Sequence, residues 1–222
     1  MKAQTFVGLV FSLLATLILP TGLASAAPDA DKDVAFHWLD ANADAVRRVS
    51  LNIWNTPELA LHEYKSSREL MAYLENNGFR VEKGVAGMPT AFIATYGSGK
   101  PVVAIFAEYD ALAGLSQKAE ASLSPLKEGA PGHGCGHNLI GAGAAAAAVA
   151  VSKWMETGKI PGTLRFYGTP AEESIGGKAY MLEAGIFKDV DTLIGWHPFD
   201  VTTASFQYSK AVASVRFKFK GV

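Results

Sequence analysis

The residues able to do chemistry fall into four short clusters. Glu108, Tyr109 and Asp110 form one, and His133-Gly134-Cys135-Gly136-His137 the next. Thr169-Pro170-Ala171-Glu172-Glu173 and Trp196-His197-Pro198 complete the set. Together they hold three of the five histidines and the single cysteine. Thiolate and imidazole suit a borderline-soft divalent ion such as Zn²⁺, and carboxylates add Mn²⁺. Cys135 and His137 stand two apart across a glycine, where the backbone can bend tightly and turn both toward one ion. Glu172 and Glu173 are adjacent and can divide two tasks, one binding metal and the other taking a proton from water. Each cluster alone has a plain structural explanation. Cys-x-His can be coincidence at a helix start, the glutamates a solvated pair, and His197 a satisfied histidine at a strand end. Their weight comes from falling on one edge of one expected sheet. His37 and His62 read as structural or solvent-facing. His133 could be a ligand, an outer partner of a ligand or a substrate contact, with ligation the least favoured.

The elements that must position these clusters follow from periodicity. Asp33 to Ile53 and Ser66 to Asn77 read as amphipathic helices, the first broken at Asn55-Thr56-Pro57 and the second stopped at Gly78. Strands are expected at Arg80 to Lys83, Thr90 to Tyr96 and Val102 to Ala107, the last a continuous apolar run suited to burial on both faces. A Ser-, Gly-, Ala- and Pro-rich loop covers Gly114 to Gly136. A helix follows from Asn138 to Thr157, with small residues from Ala142 to Ala150 that allow close approach to a sheet. Leu164 to Gly168 is a strand, Gly176 to Ala184 a helix, and Thr192 to Gly195 a further buried strand. Ser205 to Tyr208 and Ala211 to Lys220 alternate apolar and polar, as antiparallel or edge strands do. Strands alternating with helices over 90–197 predict an α/β fold with a helix-covered, mostly parallel sheet. Ligands in such folds bind at the carboxyl ends of the strands, where the clusters lie.

Composition narrows the alternatives. Of 222 residues, 49% are hydrophobic and 18% charged, which excludes intrinsic disorder. Net charge is −1 with no block of like charge, so neither a nucleic-acid footprint nor a polybasic membrane patch has support. One cysteine excludes an intramolecular disulfide. Lys2, the apolar run Phe6 to Leu19, and Ala24-Ser25-Ala26 together form a secretory signal pattern, with cleavage expected after Ala26. The run is short of the ~20 residues that span a bilayer comfortably. The expectation is a secreted or periplasmic chain with no membrane contact after cleavage. A lone cysteine in an oxidising compartment fits burial or a protecting role such as metal ligation.

The ordered set Ala107 to Leu112, Gly132 to Asn138, Gly168 to Glu173 and Gly195 to Pro198 resembles peptidase family M20, the aminoacylase and carboxypeptidase type of metallopeptidase. Within that family it is similar to the amidohydrolase branch acting on N-acyl amino acids and aminobenzoyl-glutamate. Asn55-Thr56-Pro57-Glu58-Leu59 adds to the likeness. The resemblance implies two divalent ions, Mn²⁺ or Zn²⁺, and hydrolysis of an amide bond. It implies metal binding by Cys135, His137, Glu173 and His197, a general base at Glu172, and a steadying aspartate at Asp110. Position 108, a metal-binding histidine in other branches, is Glu here. The resemblance also implies a longer parent with a dimerisation domain and one more histidine ligand, so this chain resembles an N-terminal fragment. Residues 1–26 are then a signal peptide, 27–210 part of the catalytic domain and 211–222 the start of the smaller domain. The implied substrate is a small N-acyl amino acid or dipeptide, and the implied parent a homodimer. A dipeptidase of the same family, or an exported metal-binding protein without activity, are the other readings.

Overall fold

The computed structural model describes residues 32–204 and 215–221. The first helix, α1 (Asp33–Trp54), runs one residue beyond the predicted end at Ile53 and is capped by Asn55. Helix α2 (Tyr64–Asn76) is capped from outside itself. The Glu58 carboxylate accepts from the Lys65 and Ser66 N–H groups at 2.9 Å each and from the Ser66 hydroxyl at 2.9 Å, satisfying first-turn donors that have no partner within a helix. Strands β1 (Arg80–Lys83), β2 (Phe92–Ser98) and β3 (Val102–Ala107) follow. Next come α3 (His137–Met155), β4 (Gly162–Gly168), the short α4 (Glu172–Ile175), α5 (Gly177–Glu183) and β5 (Thr192–Ile194).

The sheet runs in the order β1-β2-β4-β3-β5. β3 pairs in parallel with both β4 and β5, whereas β2 lies antiparallel to β1 and to β4. Among the described strands, therefore, only β2 runs against the rest, in keeping with the predicted mostly parallel α/β fold. Register sets the functional edge. Ala107 pairs with Gly168, so β3 and β4 finish side by side and their next residues emerge together. The Thr169 N–H and hydroxyl both donate to the Ala107 carbonyl, at 2.9 and 3.0 Å, and lock the two exits.

One face of the sheet is covered by α1, α2 and α3. Ile53, Leu70, Leu74, Phe92, Ile140, Val149 and Phe166 are fully buried there. Each such side chain stabilises the fold by about 1.5–3 kcal/mol through burial. The alanines of α3 do what their size permits. Ala142, Ala144, Ala145 and Ala148 are buried against the sheet and α1, where longer side chains would hold the layers apart. On the other face Met181 of α5 packs with Val85, Met88 and Tyr167.

Three expectations differ from the structure. Thr90 precedes β2 because its carbonyl accepts from the Tyr109 hydroxyl at 2.7 Å, while its own hydroxyl donates to Glu63. β5 is not buried: Leu193 and Ile194 are 43% and 51% exposed, because β3 covers one edge and no described strand covers the other. Residues 215–220 form no strand with any described residue, and residues 205–214 lie outside the described segments, as do residues 1–31. No helix among the described residues is long and apolar enough to cross a membrane.

Candidate metal centre

The turn before α3 brings Cys135 and His137 to the sheet edge. Gly136 between them has φ +83°, a left-handed conformation that glycine adopts without strain. It reverses the chain so that Cys135 stays outside the helix while His137 begins it. Gly132 is needed for a different reason. A Cβ there would stand 1.9 Å from the Leu115 carbonyl oxygen, so only glycine fits where this loop crosses the preceding one.

His137 is 1% exposed, and its tautomer is set by Asp110. Nδ1 lies 2.9 Å from the Asp110 carbonyl and 3.0 Å from Asp110 Oδ1, both acceptors, so Nδ1 carries the proton and donates. In the neutral ring Nε2 then presents a lone pair toward the sheet edge. The other Asp110 oxygen accepts from the Glu173 N–H at 3.0 Å. One buried carboxylate therefore fixes both the ring of His137 and the backbone of Glu173. Burial alone would raise the Asp110 pKa, but the hydrogen bonds from His137 and Glu173 outweigh it and hold the group below its ordinary value.

Glu172 and Glu173 enter through a strained turn. Ala171 has φ +58°, unusual for a residue with a Cβ. Its N–H donates to Glu63 at 2.9 Å, and its carbonyl accepts from the N–H groups of Ile175, Gly176 and Gly177. Glu63 is fully buried and also accepts from the Thr90 hydroxyl at 2.7 Å. Burial pushes its pKa up, and the hydrogen bonds from Thr90 and Ala171 pull against that. Sequence reasoning missed Glu63: the residue it holds lies 108 positions away, and no local spacing reveals the pair.

All six residues singled out in the sequence meet at this edge. Cys135 Sγ lies 3.2 Å from His197 Nε2, and His197 Nδ1 faces the Pro198 carbonyl at 2.9 Å, leaving Nε2 free to offer a lone pair. His137 Nε2 lies 3.7 Å from Glu173 Oε1 and 3.9 Å from Glu172 Oε2. Two ligand sets result, Cys135–His137–His197 and His137–Glu172–Glu173, each with donor atoms within 4.8 Å of one another and with His137 in both. The residues fit a divalent ion on a second ground. His137 Nε2 and Glu173 Oε1 are buried and have no hydrogen-bond partner, a costly state for polar atoms unless a cation joins them.

The protonation state of the centre follows from its crowding. Burial, and then the Glu173 carboxylate, push the Cys135 thiol up to about 11. Burial, and then Glu108, raise Glu172 above the ordinary carboxylate value. Burial would lower His137, but the Asp110 hydrogen bond and the charges of Asp110, Glu108 and Glu173 raise it.

The remaining histidines stand apart from the cluster. His37 and His62 are exposed, as expected. His133 is buried, its Nε2 3.1 Å from the Ile53 carbonyl, and burial holds its pKa down at about 4, so it is a neutral donor pinning the loop to α1. It lines a largely apolar cavity of about 950 Å³ that also touches Trp54, Leu139, Trp196 and Cys135.

Residues 104–212 match the model of peptidase family M20/M25/M40. The chain is 43% identical over 187 residues to one of the subunits of the p-aminobenzoyl-glutamate hydrolase of Escherichia coli (strain K12), covering 83% of this chain and 38% of that protein. It is 33% identical over 172 residues to the Xaa-Arg dipeptidase of Mus musculus, covering 72% of this chain and 36% of that one. Among solved structures it is similar to the Bacillus subtilis YXEP protein, described as a dinuclear metal-binding peptidase from the M20 family. That match has a TM-score of 0.61 at 26% identity and covers 71% of this chain and 44% of the other. The chain thus spans well under half the length of the curated relatives it matches.

Proposed function

The chain belongs to peptidase family M20, and from that premise we propose that its protein is a metal-dependent amidohydrolase cleaving the amide bond of N-acyl or N-aroyl amino acids. One observation carries the reading. Asp110 orients His137 and Glu173 at once, and leaves their Nε2 and Oε1 atoms buried, convergent and without hydrogen-bond partners. Such outer carboxylates that set a ligating histidine's tautomer are the usual support of a metal site.

In this reading Cys135, His137, Glu173 and His197 hold a pair of divalent ions. A bound ion would polarise the scissile carbonyl and bring the pKa of water toward neutrality. Glu172 is the most exposed carboxylate of the acidic cluster, its side chain 40% exposed against 19% for Glu173, so it can reach a water molecule. Its raised pKa suits a group that takes a proton and then delivers it to the leaving nitrogen.

Similarity to an aminobenzoyl-glutamate hydrolase supports an aroyl amino acid as substrate, and similarity to a dipeptidase supports dipeptides as the second class. We also infer export, from the charged, apolar and small-residue pattern of residues 1–26; amino-terminal sequencing of the mature protein would read a start at Ala27. The test of function is hydrolysis of aminobenzoyl-glutamate and of dipeptides by the metal-loaded whole protein. Glu172→Gln should retain its ions and lose turnover by at least about 100-fold. Normal turnover in that variant would refute the assignment of the base.

A further inference from the structure

Glu108 belongs to neither ligand set and, unlike Asp110, has no part in the reading above. It is 7% exposed and stands directly after β3, two residues before Asp110. Its two oxygens face different partners. Oε1 is paired with the Lys178 ammonium of α5, and Oε2 lies 3.2 Å from His137 Nε2. Lys178 is itself braced over the Phe106 ring, 5.1 Å from its centroid.

The contact between Glu108 and His137 is short but lacks hydrogen-bond geometry, since His137 Nε2 has no hydrogen-bond partner. Hydrogen bonds need a donor, proton and acceptor close to a line. A metal ion has the opposite requirement. Two donors about 2.0–2.1 Å from one tetrahedral ion stand about 3.3 Å apart, with the ion off the line between them. The 3.2 Å separation of Nε2 and Oε2 fits that edge. The same Nε2 is aimed at Glu173 Oε1, the other buried oxygen with no hydrogen-bond partner. A carboxylate with one oxygen on a lysine and the other toward the ion position has the arrangement of a ligand with its outer partner.

We propose that Glu108, held in place by Lys178, supplies a carboxylate donor to the divalent ion held by His137 and Glu173. The proposal rests on the metal-centre reading above. Lys178 is a positioning residue in it. Its charge offsets that of a second buried carboxylate at the site, and its reach across from α5 turns Oε2 of Glu108 toward His137.

The test is titration of the purified chain with Co²⁺ and Zn²⁺, reading affinity by competition against a chelator and coordination by the visible spectrum of the cobalt form. Glu108→Gln keeps the size of the side chain and removes its charge. It should weaken binding about 10–100-fold and change the cobalt spectrum. Lys178→Met leaves the carboxylate present but unanchored, and should weaken binding about 3–10-fold. It also serves as the informative variant if Glu108→Gln fails to fold by thermal melting. Cys135→Ser is the control for the centre itself. Unchanged affinity and spectrum in folded Glu108→Gln, or unchanged affinity in Lys178→Met where Glu108→Gln does not fold, would overturn the proposal while the effect of Cys135→Ser kept the centre standing. A folded wild-type chain that binds no cobalt would overturn the metal-centre reading and this proposal with it.

Discussion

Asp110→Asn isolates the element on which the centre depends. The substitution keeps shape and burial and removes one negative charge. Asp110 now accepts from the His137 ring at 3.0 Å and from the Glu173 N–H at 3.0 Å, through different oxygens. Asparagine has one oxygen and one NH₂ group, so it can accept from only one of these donors. If its oxygen stays on Glu173, the NH₂ faces His137 Nδ1 and opposes the ring proton that the Asp110 backbone carbonyl accepts at 2.9 Å. The tautomer with its lone pair on Nε2, the atom meant to bind metal, is then less favoured. If its oxygen stays on His137, the Glu173 N–H is left buried against a donor. Either way one charge-assisted hydrogen bond is lost, worth about 1.5–3 kcal/mol. Loss of an outer partner of a ligating histidine weakens metal about 10–100-fold, or about 1.4–2.7 kcal/mol, and the two figures agree. Zn²⁺ titration against a competing chelator, with melting curves to show that the variant folds, measures the effect. A folded Asp110→Asn whose affinity stays within about threefold of wild type would refute the claim that this carboxylate sets the tautomer.

Three further outcomes are expected of the same molecule. Glu63→Ala removes the acceptor for Thr90 and for the strained Ala171, and should cost about 2–4 kcal/mol in urea unfolding while loosening the turn that carries Glu172. Gly132→Ala drives a Cβ to 1.9 Å from a backbone oxygen that cannot turn aside, and should lower stability by about 1–3 kcal/mol by thermal melting. Metal affinity should rise with pH. The Cys135 thiol, pushed up to about 11, must give up its proton to bind, so log K should climb by about one per pH unit near pH 8. Below the raised pKa of His137 a second proton must leave, and the slope should approach about two. Without metal the sign for His137 reverses: its favourable contribution is complete below 6.5 and is lost as pH rises through its higher folded value. Calorimetric titrations in buffers of different ionisation enthalpy would count the protons released.

Much of the fold and the site was legible in residue types and periods. Strand β3 and the helix beginning at the Cys135–His137 turn follow from an apolar run and from small residues after a glycine-rich loop, signals that are local. The clustering at one sheet edge was legible too, because parallel strands must end together. What was hidden depends on contacts distant in the chain. Glu63 lies in a loop before α2 and reaches Ala171 only in the folded state. Lys178 looks like an ordinary surface residue of α5 until its partner is seen across the sheet. The exposure of β5 was misread because its apolar residues imply cover on both sides, whereas the described residues supply a neighbouring strand on one side. The tautomer of His137 is likewise a three-dimensional fact, set by an oxygen 27 residues earlier.

The central claim is that Cys135, His137, Glu173 and His197 form a divalent metal centre. Elemental analysis of the purified, folded chain after exposure to Mn²⁺ or Zn²⁺ and removal of excess tests it most directly. One or two tightly held ions per chain are expected, lost when Cys135 and His137 are replaced by Ser and Ala. A folded wild-type chain holding no ion, or the same number in that double variant, would contradict the claim.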